Sequence, residues 1–210
     1  MVMLEHLKRR WLTVKGSHNI SLSDTQFQIV CEKYSEKHRY YHTLEHIGSC
    51  LSFFDEISSQ LNDPSVVEIA LWFHDVIYNP KENNNEEKSA LFAHELLKNA
   101  GCKSTYIEGV SKLIMATKHP AFPATLEEKY IIDIDLAILG ASKETYEHYA
   151  NQIKKEYSHI SNASYQQGRR KVLESFLKQK AIYHTEYFAN QYESLARKNI
   201  GRELYRLSTI

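Results

Sequence analysis

The sequence is poor in the residues that interrupt helices. Only 7 glycines and 4 prolines punctuate 210 residues, and apolar residues recur at helical rather than alternating spacing nearly everywhere. This excludes a fold built from strands and tight turns and indicates an all-α chain. No repeat, low-complexity tract or flexible linker interrupts the series, so we expect a single domain over 1–210. The predicted helices cover residues 2–12, 23–38, 43–61, 64–78, 85–100, 105–117, 127–139, 143–158, 162–180 and 185–207, with starts and stops supplied by Ser23, Pro64, Gly101 and Pro120.

Cysteines are few, and the charges of opposite sign cancel. Cys31, Cys50 and Cys102 lie far apart without a CxxC pair, which argues against a disulfide framework or a thiolate zinc site and favours a reducing compartment. The 26 basic and 26 acidic residues give a formal net charge of +0, which argues against nucleic-acid binding by bulk phosphate neutralisation. The sequence has no signal-peptide core and no long uncharged apolar run, so we expect a cytoplasmic protein without membrane contact.

Two of the predicted helices carry ionisable residues inside apolar runs. The segment VVEIALWFHDVIY includes His74 and Asp75, and the segment YIIDIDLAIL includes Asp133 and Asp135. A helix that is apolar on every side should be buried. A buried carboxylate is costly unless it is paired or bound to a metal. These two segments therefore indicate where a functional site should be sought.

The segment RYYHTLEHI places two histidines four residues apart. His42 and His46 should lie on one face of the helix that is expected to begin there, so that both imidazoles can converge on one centre. His46 also continues an apolar row with Cys50 and Phe53, which predicts that it points into the core. The segment therefore adds imidazole ligands to the carboxylates described above.

Helical geometry limits how these side chains can share one ion. Asp133 and Asp135 are about 200° apart around a helix, so only one of them can face a common site. His74 and Asp75 are about 100° apart and therefore need partners from other helices. Imidazole and carboxylate ligands suit Zn, Mn, Fe or Mg and leave positions for water or substrate. The expected ligands are His46, His74 with Asp75, and one of Asp133 and Asp135.

The order H…HD…D, here His46, His74-Asp75 and Asp135, resembles the HD-domain metal-dependent phosphohydrolases. This all-helical superfamily includes nucleotidases and cyclic-nucleotide phosphodiesterases. Most of the chain is similar to a bacterial branch of comparable length, known mainly as predicted HD phosphohydrolases. The resemblance implies an HD-type helical bundle of roughly nine or ten helices. The segments that carry it are RYYHTLEHI, WFHDVIYNP, NEEKSA, DIDLAILG, EYSHI and ARKNIGREL.

The resemblance also implies roles for single residues. In the related phosphodiesterases a YHN segment is followed by HA, and the first histidine is a general acid whereas the second is a metal ligand. By this similarity His42 is the acid and His46 the ligand. Their last aspartate begins an Asp-Leu-Ser run, which favours Asp135 as the ligand, although alanine replaces the serine here. Asp133 is then expected to be a salt-bridge or hydrogen-bond partner. The implied cofactor is one or two divalent ions, with Mn, Fe, Co, Ni, Zn and Mg all open.

The implied reaction is hydrolysis of a phosphate ester by a metal-activated water. Asp75 would hold this water or bridge a second ion, Glu86 would orient the water, and His42 would protonate the leaving oxygen. The expected substrate is a small phosphorylated molecule, for which the superfamily favours a nucleotide; monoester, diester and homodimer remain open. The residues expected to bind the phosphate or substrate are Arg39, Lys118, His119 and Arg169, and His119 would become a ligand if the site held two ions.

Two other functions fit parts of the sequence. His42, Glu45 and His46 satisfy the H-x-x-E-H motif of inverted zincins, with Glu45 as the base of a zinc peptidase. That motif is short and leaves the His-Asp pair unexplained. The second alternative is a degenerate HD scaffold that binds a nucleotide or a partner without catalysis. All four expected ligand positions are filled, which argues against degeneracy.

Overall fold

The computed structural model describes residues 2–14, 22–118 and 122–209. Over these ranges the chain forms ten α-helices and no strand, which confirms the all-α prediction. Short 3-10 turns occupy Ser58–Gln60 and Ala137–Gly140. The helices are α1 (Val2–Val14), α2 (Asp24–Tyr34), α3 (Leu44–Ile57), α4 (Pro64–Phe73), α5 (Asn85–Asn99), α6 (Ser104–Ala116), α7 (Leu126–Leu136), α8 (Lys143–Glu156), α9 (Asn162–Lys178) and α10 (Glu186–Ser208).

Several helix ends follow from the residues expected to supply them. Ser23 forms a capping box with Gln26 at the start of α2. Pro64 is the first residue of α4, where its missing N–H costs nothing. Gly101, with φ 77°, follows α5 in the left-handed region that favours glycine. These three predictions are confirmed, whereas Pro120 lies outside the described residues.

The chain consists of two compact units, residues 1–131 and 132–210, and the boundary falls within α7. The single-domain prediction is not tested by this division and stays a prediction. In the first unit α4 is the central helix, because it packs against α3, α5 and α6. None of the helices that the structure describes combines the length and apolar character that crossing a bilayer requires.

The burial of α4 explains why its sequence has no polar face. Trp72 meets Trp11 of α1 edge to face, with ring centroids 5.3 Å apart. Phe27 of α2 approaches the same two indoles, at 5.9 and 6.3 Å. α1 and α2 therefore cover one side of α4 while α5 and α6 cover another. The candidate site begins directly after the last residue of α4.

α4 is shorter than predicted. It ends at Phe73 rather than continuing to residue 78, and the chain bends over residues 74–77. The prediction of one continuous helix through His74 and Asp75 is therefore wrong. Two carbonyl groups near this end accept from side chains, Trp72 O from Tyr34 Oη at 2.9 Å and Leu71 O from His74 Nδ1 at 3.0 Å. Phe73 O accepts from the backbone N–H of Val76 at 3.1 Å.

The second unit is organised around α10, which packs against α9 and the 3-10 turn Ala137–Gly140. Gly140 lies so close to α10 that an added Cβ would be 2.6 Å from Tyr192 Cβ. A buried ion pair joins α9 to α10, since Arg169 donates from Nε and Nη2 to the Glu203 carboxylate at 2.9 and 3.1 Å. Tyr146 of α8 donates to the same carboxylate at 2.5 Å. These contacts tie the helices of this unit together.

Candidate metal centre

Three predicted ligands, His46, His74 and Asp75, meet in the first unit and could hold a metal ion. His46 lies in the first turn of α3, and the other two directly follow α4. The two Nε2 atoms are 3.1 Å apart. Asp75 Oδ2 is 3.1 Å from the Nε2 atom of His74 and 3.6 Å from that of His46. His74, the C-cap of α4, keeps helical backbone angles, and Asp75 lies in the turn that follows, from which its carboxylate reaches the His74 ring.

The geometry of these three atoms fits a divalent ion. They form a triangle whose centre is about 1.9 Å from each atom. This distance is close to the 2.0–2.2 Å at which imidazole nitrogen and carboxylate oxygen bind zinc, so His46, His74 and Asp75 could hold one ion together. Two imidazoles and one carboxylate would leave coordination positions for water or substrate. The residues present therefore fit the cofactor that the sequence implies.

The tautomer of His74 is also suited to metal binding. Its Nδ1 lies 3.0 Å from the backbone carbonyl oxygen of Leu71, which can only accept a hydrogen bond. Nδ1 therefore carries the proton of the neutral ring, and Nε2 presents its lone pair to Asp75 and His46. A carbonyl bound to the far nitrogen is the usual way in which a ligating imidazole is oriented.

Asp75 is the most solvent-exposed of these three predicted ligands. The His46 and His74 side chains are 2% and 1% exposed, whereas the Asp75 side chain is 17% exposed. A small substrate would therefore approach past Asp75. A largely buried site also strengthens the electrostatic interactions of a bound ion.

His42 lies next to the three-atom group but not in the helix expected to contain it. α3 begins at Leu44, after the N-cap Thr43, so the prediction that His42 and His46 share one helical face is wrong. The His42 ring instead stacks on Tyr78, with centroids 4.1 Å apart, and its centroid is 6.1 Å from that of His46. His42 is therefore close to the group, and the ligand sets formed by the described residues do not include it.

Glu86 and Lys118 extend the polar surroundings of Asp75. Glu86 is half-buried in the first turn of α5, and burial raises the pKa of its carboxyl. The negative charge of Asp75 raises this pKa further, whereas Lys118 opposes the shift. Lys118 is paired with Glu87, and this hydrogen bond raises the pKa of the lysine. The roles predicted for Glu86 and Lys118 stay predictions.

The two aspartates of α7 differ in their environment. Asp133 is fully buried and accepts hydrogen bonds from His184 N, Thr185 N and Thr185 Oγ1 at 2.7–2.8 Å. Burial raises the pKa of Asp133 even though these bonds oppose the shift. Its expected role as a hydrogen-bond partner is confirmed. Asp135 is half-buried, and its role as a metal ligand stays a prediction.

Two arginines that were predicted to bind phosphate are buried and donate hydrogen bonds to protein acceptors. The Arg39 side chain is completely buried and donates to three backbone carbonyls and to Glu36. Arg169 is buried, paired with Glu203, and donates to Tyr149 Oη at 3.3 Å. Most of their guanidinium donors therefore bind protein acceptors away from solvent, and the prediction that they contact phosphate stays a prediction. His119 lies outside the described residues.

Cys50 and Tyr78 belong to the site but were not among the predicted site residues. Cys50 Sγ is 3.7 Å from both ring nitrogens of His46, and Cys50 forms a second possible ligand group with His46 and His74. The sequence signal for Cys50 is its position four residues after His46, a spacing that places both side chains on one face of a helix. Tyr78 supplies the ring under His42, and no local pattern in the sequence distinguishes it from the other 13 tyrosines.

Comparison with known proteins adds no family assignment. No family model, no curated protein and no solved structure matches the chain. The resemblance to the HD-domain phosphohydrolases therefore depends on the residues of this sequence and stays a prediction.

Proposed function

We propose that this protein is a metal-dependent phosphohydrolase that cleaves a small phosphate ester. The observation that supports this most is the triangle of His46 Nε2, His74 Nε2 and Asp75 Oδ2, whose centre is at bonding distance from all three atoms and which is accessible past Asp75. A bound divalent ion would supply a water of lowered pKa and would polarise a phosphoryl oxygen.

The residues around the triangle suit the remaining steps of hydrolysis. His42 protonates the leaving oxygen, a task for a group whose ordinary pKa is near neutral. Glu86 orients the attacking water, since burial raises the pKa of its carboxyl and makes it a better proton acceptor. Lys118, which is partly exposed and paired with Glu87, attracts the non-bridging oxygens of the substrate. Asp135 remains the predicted fourth ligand, and Asp135→Asn tests that role separately.

The substrate class follows from the chemistry of the reaction and from the resemblance. A divalent ion next to an imidazole acid suits phosphoester cleavage, and the HD superfamily favours a nucleotide as the ester. Monoesters and diesters are both included, because nothing in the ligand set separates them.

The peptidase alternative requires His42, Glu45 and His46 to act together at one zinc ion. Glu45 is exposed at the start of α3, and His46 pairs with His74 and Asp75 in the described ligand group rather than with His42. These positions favour the phosphohydrolase. Glu45→Gln should therefore leave phosphoester hydrolysis unchanged, whereas a peptidase would lose its base.

The proposal is tested by metal analysis together with an activity screen. We expect purified protein to contain a divalent ion and to hydrolyse at least one member of a panel of phosphomonoesters and phosphodiesters in the presence of Mn²⁺ or another divalent ion. Asp75→Ala should lose the ion and the activity, and Glu45→Gln is its matched control. Protein that holds an ion but hydrolyses nothing on broad panels would contradict the proposal and favour the non-catalytic scaffold.

A further inference from the structure

The turn after α4 presents two backbone carbonyl groups to one side chain, that of Arg39. The chain bends over residues 74–77 instead of continuing the helix, and Pro80 has no N–H group that a continued helix could have offered to Val76 O. Arg39 donates to the carbonyl groups of Asp75 and Val76. Its Nη1 donates to Asp75 O at 2.8 Å and its Nη2 donates to Val76 O at 3.0 Å. The backbone that carries the Asp75 ligand is therefore held by a guanidinium group.

The same guanidinium group holds the segment that carries His42. Nη1 of Arg39 also donates to His42 O at 3.1 Å. A guanidinium group is planar, and its five N–H bonds point in fixed directions. Because one nitrogen donates to both His42 O and Asp75 O, the group fixes the distance between the two backbones. His42 and Asp75 are the proposed acid and a proposed ligand of the same centre.

The surroundings of Arg39 keep it in this position. Its guanidinium carbon lies 5.1 Å from the centroid of the Tyr34 ring and 5.5 Å from that of Tyr78. Its Nε donates to Glu36 Oε2 at 3.0 Å, which places a negative charge next to the buried cation. Tyr78 is also the ring on which His42 stacks. Because its side chain is completely buried, Arg39 does not reach substrate itself. It acts through the residues that it holds in place.

We propose that Arg39 is a positioning residue that sets the metal-binding geometry of Asp75 and the position of His42. The part concerning His42 rests on the proposed function, whereas the part concerning Asp75 requires only that the centre binds an ion. Lysine at this position would keep the positive charge but would lose most of the hydrogen bonds that hold the two backbone segments. Its ammonium group is a single point on a flexible stem and cannot serve four acceptors in several directions at once.

The test compares Arg39→Lys with a matched control, Arg197→Lys. Arg197 also donates to three carbonyls and a glutamate, but these acceptors belong to no predicted site. Two measurements are made: Mn²⁺ and Zn²⁺ affinity by titration calorimetry, and amide hydrogen exchange of the metal-free protein by mass spectrometry. The acceptors of Arg197 are Glu193 Oε1 at 2.7 Å, Leu177 O at 3.2 Å, Gln179 O at 2.8 Å and Lys180 O at 3.2 Å.

We expect Arg39→Lys to weaken metal affinity by about tenfold to a hundredfold, the usual effect of losing a group that orients ligands. Exchange over residues 74–78 should increase by about tenfold or more. Arg197→Lys should change neither quantity. If Arg39→Lys does not fold, Glu36→Gln, which removes only the carboxylate at Nε, should still increase exchange over residues 74–78 by a few-fold.

Wild-type affinity together with unchanged exchange over residues 74–78 in Arg39→Lys would overturn the proposal. Faster exchange throughout the protein without a selective increase over residues 74–78 would overturn it as well. A wild-type chain that binds neither Mn²⁺ nor Zn²⁺ would overturn the part concerning Asp75, whereas the exchange measurement needs no ion and tests whether Arg39 holds the backbone over residues 74–78. If the wild type binds an ion but hydrolyses nothing, the proposed function is refuted. Metal affinity and hydrogen exchange then still decide whether Arg39 positions Asp75.

Discussion

His42 shows how a single residue can be tested as acid or ligand. Its ring stacks on Tyr78 at 4.1 Å and lies beside His46, outside the three-atom group. We expect His42→Gln to lower kcat by about 10²–10⁴-fold, because the leaving oxygen would lose its proton donor. The bound ion should be retained, since glutamine removes no ligand. The measurements are steady-state kinetics and metal content of the same preparation. Loss of the ion in this variant would make His42 a ligand instead.

Asp133 provides a residue-scale prediction about stability. Its carboxylate accepts three hydrogen bonds at the start of α10. In Asp133→Asn an NH₂ group replaces one carboxylate oxygen. This group cannot accept a hydrogen bond, so the N–H or O–H group that it faces would lose its acceptor. We expect a loss of about 1–3 kcal/mol in the free energy of unfolding, measured by urea denaturation. Ion content after Asp133→Asn should equal that of the wild type, because Asp135 is the predicted ligand. A selective loss of the ion would show that the two aspartates have been assigned the wrong way round.

At the scale of helices, most elements could be predicted and the end of α4 could not. The helical spacing of apolar residues and the start signals Ser23 and Pro64 are local, and the structure has α2 beginning after the N-cap Ser23 and α4 beginning at Pro64. The run from Trp72 to Tyr78 contains no glycine or proline, so nothing local marks the end of α4. That end is stabilised by distant donors, such as Tyr34 and Arg39, whose positions become known only when the chain folds.

The same distinction applies to the predicted site residues. The sequence identified His46, His74 and Asp75, because ionisable side chains within apolar segments are unusual whether or not the helix continues. The sequence could not show what Arg39 and Arg169 contact, because an arginine has the same sequence signature whether its guanidinium faces solvent or a buried acceptor. Only the contacts of each guanidinium separate the two cases.

The packing of the 3-10 turn against α10 gives an element-scale prediction. At Gly140 an added Cβ would be 2.6 Å from Tyr192 Cβ and 2.8 Å from Tyr192 O. Gly140→Ala should therefore reduce the free energy of unfolding by about 1–3 kcal/mol, since the turn and α10 must move apart. Gly201→Ala is the control, because an added Cβ in this exposed position of α10 meets nothing within 4 Å. The control should stabilise the protein by about 0.5–1 kcal/mol through helix propensity. Equal effects of the two variants in chemical denaturation would contradict the packing described for the turn.

At the scale of the whole molecule, ion binding should be visible in thermal unfolding. The three converging atoms come from the end of α4 and the start of α3, segments that are far apart in the unfolded chain. An ion that binds only the folded state stabilises it by about 2.7 kcal/mol at a concentration of 100 Kd. For a chain of 210 residues this corresponds to about 5–10 °C in Tm.

Removing the ion with excess EDTA should therefore lower the Tm of the wild type by this amount, and adding Mn²⁺ or Zn²⁺ back should restore it in scanning calorimetry. Asp75→Ala should unfold at the same temperature with and without the ion, because the triangle has lost one corner. Glu45→Gln, one residue before His46 but exposed, should respond like the wild type. A wild-type Tm that is insensitive to both chelation and added ion would show that the triangle binds no metal, because the shift depends only on the difference in affinity between folded and unfolded chains.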